Sequence, residues 1–155
     1  MVLGSILLLI AVPLASAQKA IDITPSYIAG AELGWTKAKY KQLLGTPRVD
    51  QLEGGLTRLV FAKRKVSVYL KGGKGIAITT WSKVLVDEEG ITPCSSVGEL
   101  KAAWGAKLKP FKFGGAIAAY RRSTLLYAVE DGRVDVIMLG PAARNFVALN
   151  ETGCR

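Results

Sequence analysis

One short plan occurs twice in the chain, and it limits the possible folds more than any single residue does. The first copy reads Ile23-Thr24-Pro25 and then Leu33-Gly34-Trp35-Thr36-Lys37-Ala38-Lys39-Tyr40-Lys41-Gln42-Leu43-Leu44-Gly45. The second reads Ile91-Thr92-Pro93 and then Ser96-Val97-Gly98-Glu99-Leu100-Lys101-Ala102-Ala103-Trp104-Gly105. In each, a hydroxyl residue suited to cap a helix opens a short amphipathic run that closes on glycine. Thr36 and Ser96 are the expected caps, and Glu99 completes a capping box with Ser96. Val97, Leu100 and Trp104 recur at helical spacing and form a buried stripe. In the first copy the stripe is Tyr40, Leu43 and Leu44.

Alternating apolar patterns follow both helices. Strands are expected over residues 56–62, 66–70 and 76–81, and again over 116–120, 125–129 and 134–139. Val66, Val68, Leu70, Ile76 and Ile78 are assigned to the core face. Tyr69, Ala77, Thr79 and Trp81 are assigned to the opposite one. Lys71-Gly72-Gly73-Lys74-Gly75 reads as a hairpin loop, and Asp131-Gly132 marks a tight turn. Residues 50–55 read as a polar connector. The expected fold is therefore α+β: two tandem repeats of one helix plus a three-stranded antiparallel meander, with the helices on one face of the sheet or sheets. The expected organisation is a leader at 1–17, repeat 1 at 18–83, a linker at 84–90, and repeat 2 with a tail at 91–155.

The apolar run before Pro13 and the small-residue pattern Ala15-Ser16-Ala17 read as a secretory signal peptide cut after Ala17. An uncleaved anchor is the alternative. The expected location is secreted, periplasmic or in the cell envelope, with membrane contact only during export. The chain has only two cysteines, Cys94 and Cys154. In an oxidising compartment a disulfide between them is the expected state; two buried thiols or an intermolecular bridge are the alternatives.

The net charge is +9, and residues 23–82 carry ten Lys/Arg against three Asp/Glu. Such an excess suits acidic proteins, wall polymers or lipid head groups. There is no histidine, the commonest general base and metal ligand. Two distant cysteines make no zinc site, and no nucleophile elbow or P-loop occurs. No cofactor, metal or catalytic residue is expected. Asp87-Glu88-Glu89 offers carboxylates to a cation, but a charge run of this kind reads better as a solvated linker. Lys109-Pro110-Phe111-Lys112-Phe113 interleaves basic and aromatic residues, a weak nucleic-acid or glycan signal. Strand alternation, with both phenylalanines facing the core, explains it more simply. Asn150-Glu151-Thr152 fits a glycosylation acceptor.

The stretches Leu33-Gly34-Trp35-Thr36-Lys37-Ala38 and Leu43-Leu44-Gly45-Thr46-Pro47 resemble the G-M-T-x-x-x-V-x-x-x-L-G-x-P pattern of the BamE/SmpA-like outer-membrane assembly factors. In its tandem, exported, disulfide-containing form the chain is similar to the β-lactamase inhibitory protein family. The resemblance implies paired helix-and-sheet units whose concave sheet surface grips another protein. In the inhibitors a hairpin loop of the first unit, carrying an acidic residue and a tyrosine, plugs the target. The corresponding loop here, Lys71 to Gly75, contains neither.

Residues and resemblance lead to the same expectation. The chain is a non-enzymatic protein-binding module, inhibitor- or adaptor-like, using its open sheet face. Tyr69 and Trp81 would be side-by-side anchors, with packing against the other repeat as the equal alternative for both, and Lys71 and Lys74 would be steering charges. The alternatives are a basic envelope protein bound to anionic wall polymer and, less favoured, a small hydrolase. No specific nucleic-acid partner is expected.

Overall fold

A computed structural model describes residues 20–113, 116–140 and 154, with residues 113 and 116–118 described by their backbone alone. The expected signal peptide and glycosylation acceptor lie outside the described residues. Among those described, no helix is long and apolar enough to cross a membrane.

The first described strands form a small ribbon, β1 (Tyr27–Ile28) and β2 (Ala31–Glu32), turned by Ala29-Gly30 with both residues at positive φ. Helix α1 (Lys37–Leu44) follows, with Thr36 accepting a hydrogen bond from the Lys39 N–H. Four strands come next: β3 (Arg48–Leu52), β4 (Leu56–Phe61), β5 (Val66–Lys71) and β6 (Lys74–Thr80). Helix α2 (Val97–Trp104) carries the full capping box between Ser96 and Glu99. A second set of four strands completes the fold: β7 (Lys109–Phe113), β8 (Ala116–Arg122), β9 (Leu125–Glu130) and β10 (Arg133–Leu139).

All eight of these strands form one antiparallel sheet in the order β3-β4-β5-β6-β10-β9-β8-β7. Each half thus runs outward from a seam where β6 meets β10 through Thr80 opposite Ile137, Thr79 opposite Met138 and Ile78 opposite Leu139. This architecture overturns the expected fold class. The described residues are mostly β, with a two-stranded ribbon, one eight-stranded sheet and two short α-helices among them, rather than two helix-plus-three-strand units. The uncounted strands are the two outermost, β3 and β7. An edge strand needs no apolar alternation, because only one side of it pairs and much of it stays in water. Arg48-Val49-Asp50-Gln51-Leu52 is largely exposed, and its last three residues accordingly fell in the expected connector at 50–55. Pro110 in β7 is tolerated there for the same reason, since it has no N–H to give a further strand.

The sheet buries side chains on both faces. On the first face, Tyr40 and Leu44 of α1 and Leu100 and Trp104 of α2 join Leu59, Phe61, Val66, Val68, Ile78, Leu125, Tyr127, Val134, Ile137 and Leu139 in one cluster. Ile23 and Ile28 extend that cluster to the ribbon. The second face has its own cluster, built from strand residues alone: Tyr69, Ala77, Ala119, Leu126, Ala128, Val136 and Met138. The assignment of Val66, Val68, Leu70 and Ile78 to the core face agrees with this arrangement. Ile76 does not follow it. Tyr69 stands opposite Ala77 but Leu70 stands opposite Gly75, so Ile76 is the extra residue of a bulge and packs against the second cluster. A bulge inserts one residue and breaks the alternation that assigned its face.

Candidate functional site

The hairpin that was expected to steer a partner is tighter than its sequence suggested. Lys71 and Lys74 are the last paired residues, so the turn is only Gly72-Gly73, with φ of +57° and +76°. Two consecutive residues in this region make the turn that matches strand twist, and glycine adopts it without steric cost. The geometry sets two ammonium-bearing side chains directly opposite each other, an arrangement that costs stability in a sheet.

The start of α1 adds to this charge. Lys74 forms a β-bridge with Thr36, Gly75 donates its N–H to the Trp35 carbonyl at 3.0 Å, and Gly34 donates to the Gly75 carbonyl at 2.8 Å. Gly75 is required at this junction, because a Cβ there would collide with the Tyr40 hydroxyl. That hydroxyl donates to the Glu32 carbonyl at 2.6 Å. Burial, assisted by the nearby Glu32 carboxylate, pushes it up to about 12. The tight packing brings Lys37 at the first turn of α1 close to Lys74 in the fold. Lys39 places its ammonium 3.7 Å from the Trp35 ring centre. Lys37, Lys39, Lys71 and Lys74 are all exposed, and none forms an ion pair with a carboxylate of the described residues. Trp35 and Lys37 were not among the expected binding residues. Their signal was present in the charge density of the Trp35 to Lys41 stretch, but a lysine-rich helix face reads first as solvated.

The expected aromatic anchors are placed differently. Tyr69 is fully buried, a member of the second cluster rather than an exposed residue. Trp81 is partly buried against that same cluster. They share a face but are not side by side, because Ala77 is the residue opposite Tyr69 and Trp81 lies beyond the end of β6. Strand alternation assigned the face correctly; whether that face is open to solvent is a tertiary property.

In the acidic run Glu88 and Glu89 are exposed, as a solvated linker would have them, but Asp87 is not. Asp87 is 1% exposed. Its carboxylate accepts from Trp104 Nε1 at 3.0 Å, from the Tyr127 hydroxyl at 2.8 Å, and from the N–H groups of Glu89 and Ile91 at 2.9 and 2.8 Å. Beside it, Arg122 lies 3.4 Å from the Trp104 ring centre and donates to Glu88 at 2.6 Å. Burial, followed by the Asp87 charge, raises the Tyr127 hydroxyl above its ordinary value. With four donors satisfied, this carboxylate is a structural acceptor that joins linker, α2 and sheet. Among the described residues, no group of three His, Cys, Asp or Glu side chains is arranged to hold a metal ion.

Cys94 and Cys154 form a disulfide, with Cα atoms 5.3 Å apart. The bond is consistent with an oxidising compartment, extracellular or periplasmic. Comparison with known protein families, with characterised proteins and with solved structures finds no match to this chain.

Proposed function

We propose that the chain is an exported, non-catalytic binding module, inhibitor- or adaptor-like, that engages an acidic protein partner. Its contact surface is the Gly72-Gly73 hairpin together with the start of α1, rather than the centre of the sheet. The observation that carries this reading is that Lys71 and Lys74 stand opposite each other at the hairpin end and the Thr36–Lys74 bridge sets them beside the start of α1, where Lys37 and Lys39 lie, without a carboxylate to pair any of the four. A surface of one sign speeds encounter with an opposite surface, and Trp35, partly buried against the core cluster beneath Lys39, fixes that lysine in place.

A pull-down from the native extracellular fraction, at low and high salt, tests the reading. The wild-type chain should retain one stoichiometric protein at high salt, and the double variant Lys71→Glu/Lys74→Glu should release it. Identical capture by both would overturn the proposed surface. Broad capture of polyanions that disappears with salt would favour the envelope-polymer alternative.

A further inference from the structure

A second basic cluster lies in the other half of the molecule, with a different geometry. β7 and β8 pair so that Lys109 stands directly opposite Arg121. Lys107, from the turn after α2, and Ser123, from the turn after β8, close a shallow depression of about 240 Å³ around them. All four residues are exposed. The three cations form no ion pair with a carboxylate of the described residues. Arg121 is held in place, because its Nε donates to the Ser123 carbonyl at 2.8 Å and Ser123 turns the chain back with φ of +53°. Its terminal N–H groups are therefore positioned without being consumed.

We infer that Lys107, Lys109 and Arg121 form an oxyanion-binding site for a doubly charged tetrahedral group, a phosphate or sulfate. Two like charges fixed opposite each other in a sheet oppose folding, and a third nearby adds to the cost. A bound dianion removes that repulsion and accepts from all three side chains. A guanidinium already oriented by one hydrogen bond gives up little freedom on binding. The group could come from the free ion or from the repeating units of an anionic polymer, which present the same oxygens.

The test uses the full disulfide-bonded protein, with amide shifts followed by NMR at constant ionic strength held with chloride. Sodium phosphate should shift the Lys109 and Arg121 amides saturably. Arg121→Gln should weaken binding by about tenfold, the loss expected for one charge-assisted contact. Lys63→Gln, at the turn between β4 and β5, should leave binding unchanged. Lys109→Gln should lower phosphate affinity while leaving the melting temperature equal or higher, because it relieves repulsion in the free protein. A purely structural lysine would show the reverse. Long-chain polyphosphate in a parallel titration separates the sources. Equal affinity per phosphate assigns the site to the free ion, and affinity at least about tenfold tighter assigns it to a polymer. Shifts that fail to saturate, or an unchanged affinity for Arg121→Gln, would overturn the site. The Lys71/Lys74 surface is in the other half, so that result would leave the protein-binding reading intact.

Discussion

At the scale of single residues, Asp87 matters most to the fold. One carboxylate receives an indole, a phenol and two backbone N–H groups in a place with almost no water. Each donor left unpaired there costs about 1–3 kcal/mol. Asp87→Ala should therefore destabilise the protein by about 3–5 kcal/mol in urea unfolding, even though the side chain removed is small. Asp87→Asn keeps one acceptor oxygen and should lose a smaller part of that stability. Equal stability of Asp87→Ala and the wild type would show that the four bonds contribute nothing net. The sequence placed this aspartate in an acidic run, where its neighbours Glu88 and Glu89 suggested solvent. Its partners Trp104 and Tyr127 are 17 and 40 residues away, too far for local pattern to indicate.

At the scale of elements, the two helices and the two outermost strands contrast. The helices were legible because caps and stops are local chemistry: Thr36 and Ser96 open them, and Gly45 and Gly105 close them. Strand β3 was not legible, and charge pairing contributes to its attachment. Asp50 receives Arg58 at 2.7 Å from the neighbouring strand and Arg48 at 3.0 Å from its own. Hydrogen bonds from Arg48 and Arg58 hold the Asp50 carboxyl below its ordinary range. A carboxyl depressed in the folded state contributes stability above its unfolded pKa of about 3.9, and loses it as pH falls through the lower folded value. Because the pair is partly exposed, that contribution is about 1 kcal/mol or less. The melting temperature of Asp50→Asn should lie below that of the wild type at pH 6, and the gap should narrow as the pH falls below about 4. A gap that stays constant over that range would remove the ion pair from the account of how β3 is held.

At the scale of the whole molecule, two connections hold the halves in one unit. The first is the β6–β10 seam, where Ile78 and Leu139 face each other in the core cluster. The second is the linker, whose Val86 carbonyl receives the N–H groups of Asp22 and Ile23 and whose Asp87 reaches α2 and β9. The disulfide acts differently, by closing a span of 60 residues from the start of the second half to the end of the chain. In the chain-entropy model a loop of that length stabilises by about 4 kcal/mol, before any compensating strain. Reduction, or the paired change Cys94→Ser/Cys154→Ser, should lower the urea midpoint and raise the slope of the transition, because the unfolded chain without the bridge is more expanded and exposes more surface. An unaltered midpoint would mean that the bridge constrains nothing the rest of the fold does not already hold.

Local chemistry in the sequence determined the helix ends, the six inner strands, the Gly72-Gly73 and Asp131-Gly132 turns, and the basic excess of the first half. Each depends on neighbours within a few residues, so periodicity and turn chemistry report it directly. Tertiary structure alone decided that the eight strands form one sheet, because pairing across the seam joins residues far apart in the chain. It decided that Tyr69 is buried and Ile76 is turned to the second face, because solvent access and a bulge are set by what packs alongside. It also decided which lysines meet. Lys109 and Arg121 are twelve residues apart in sequence, where nothing links the two, and only strand register sets them face to face.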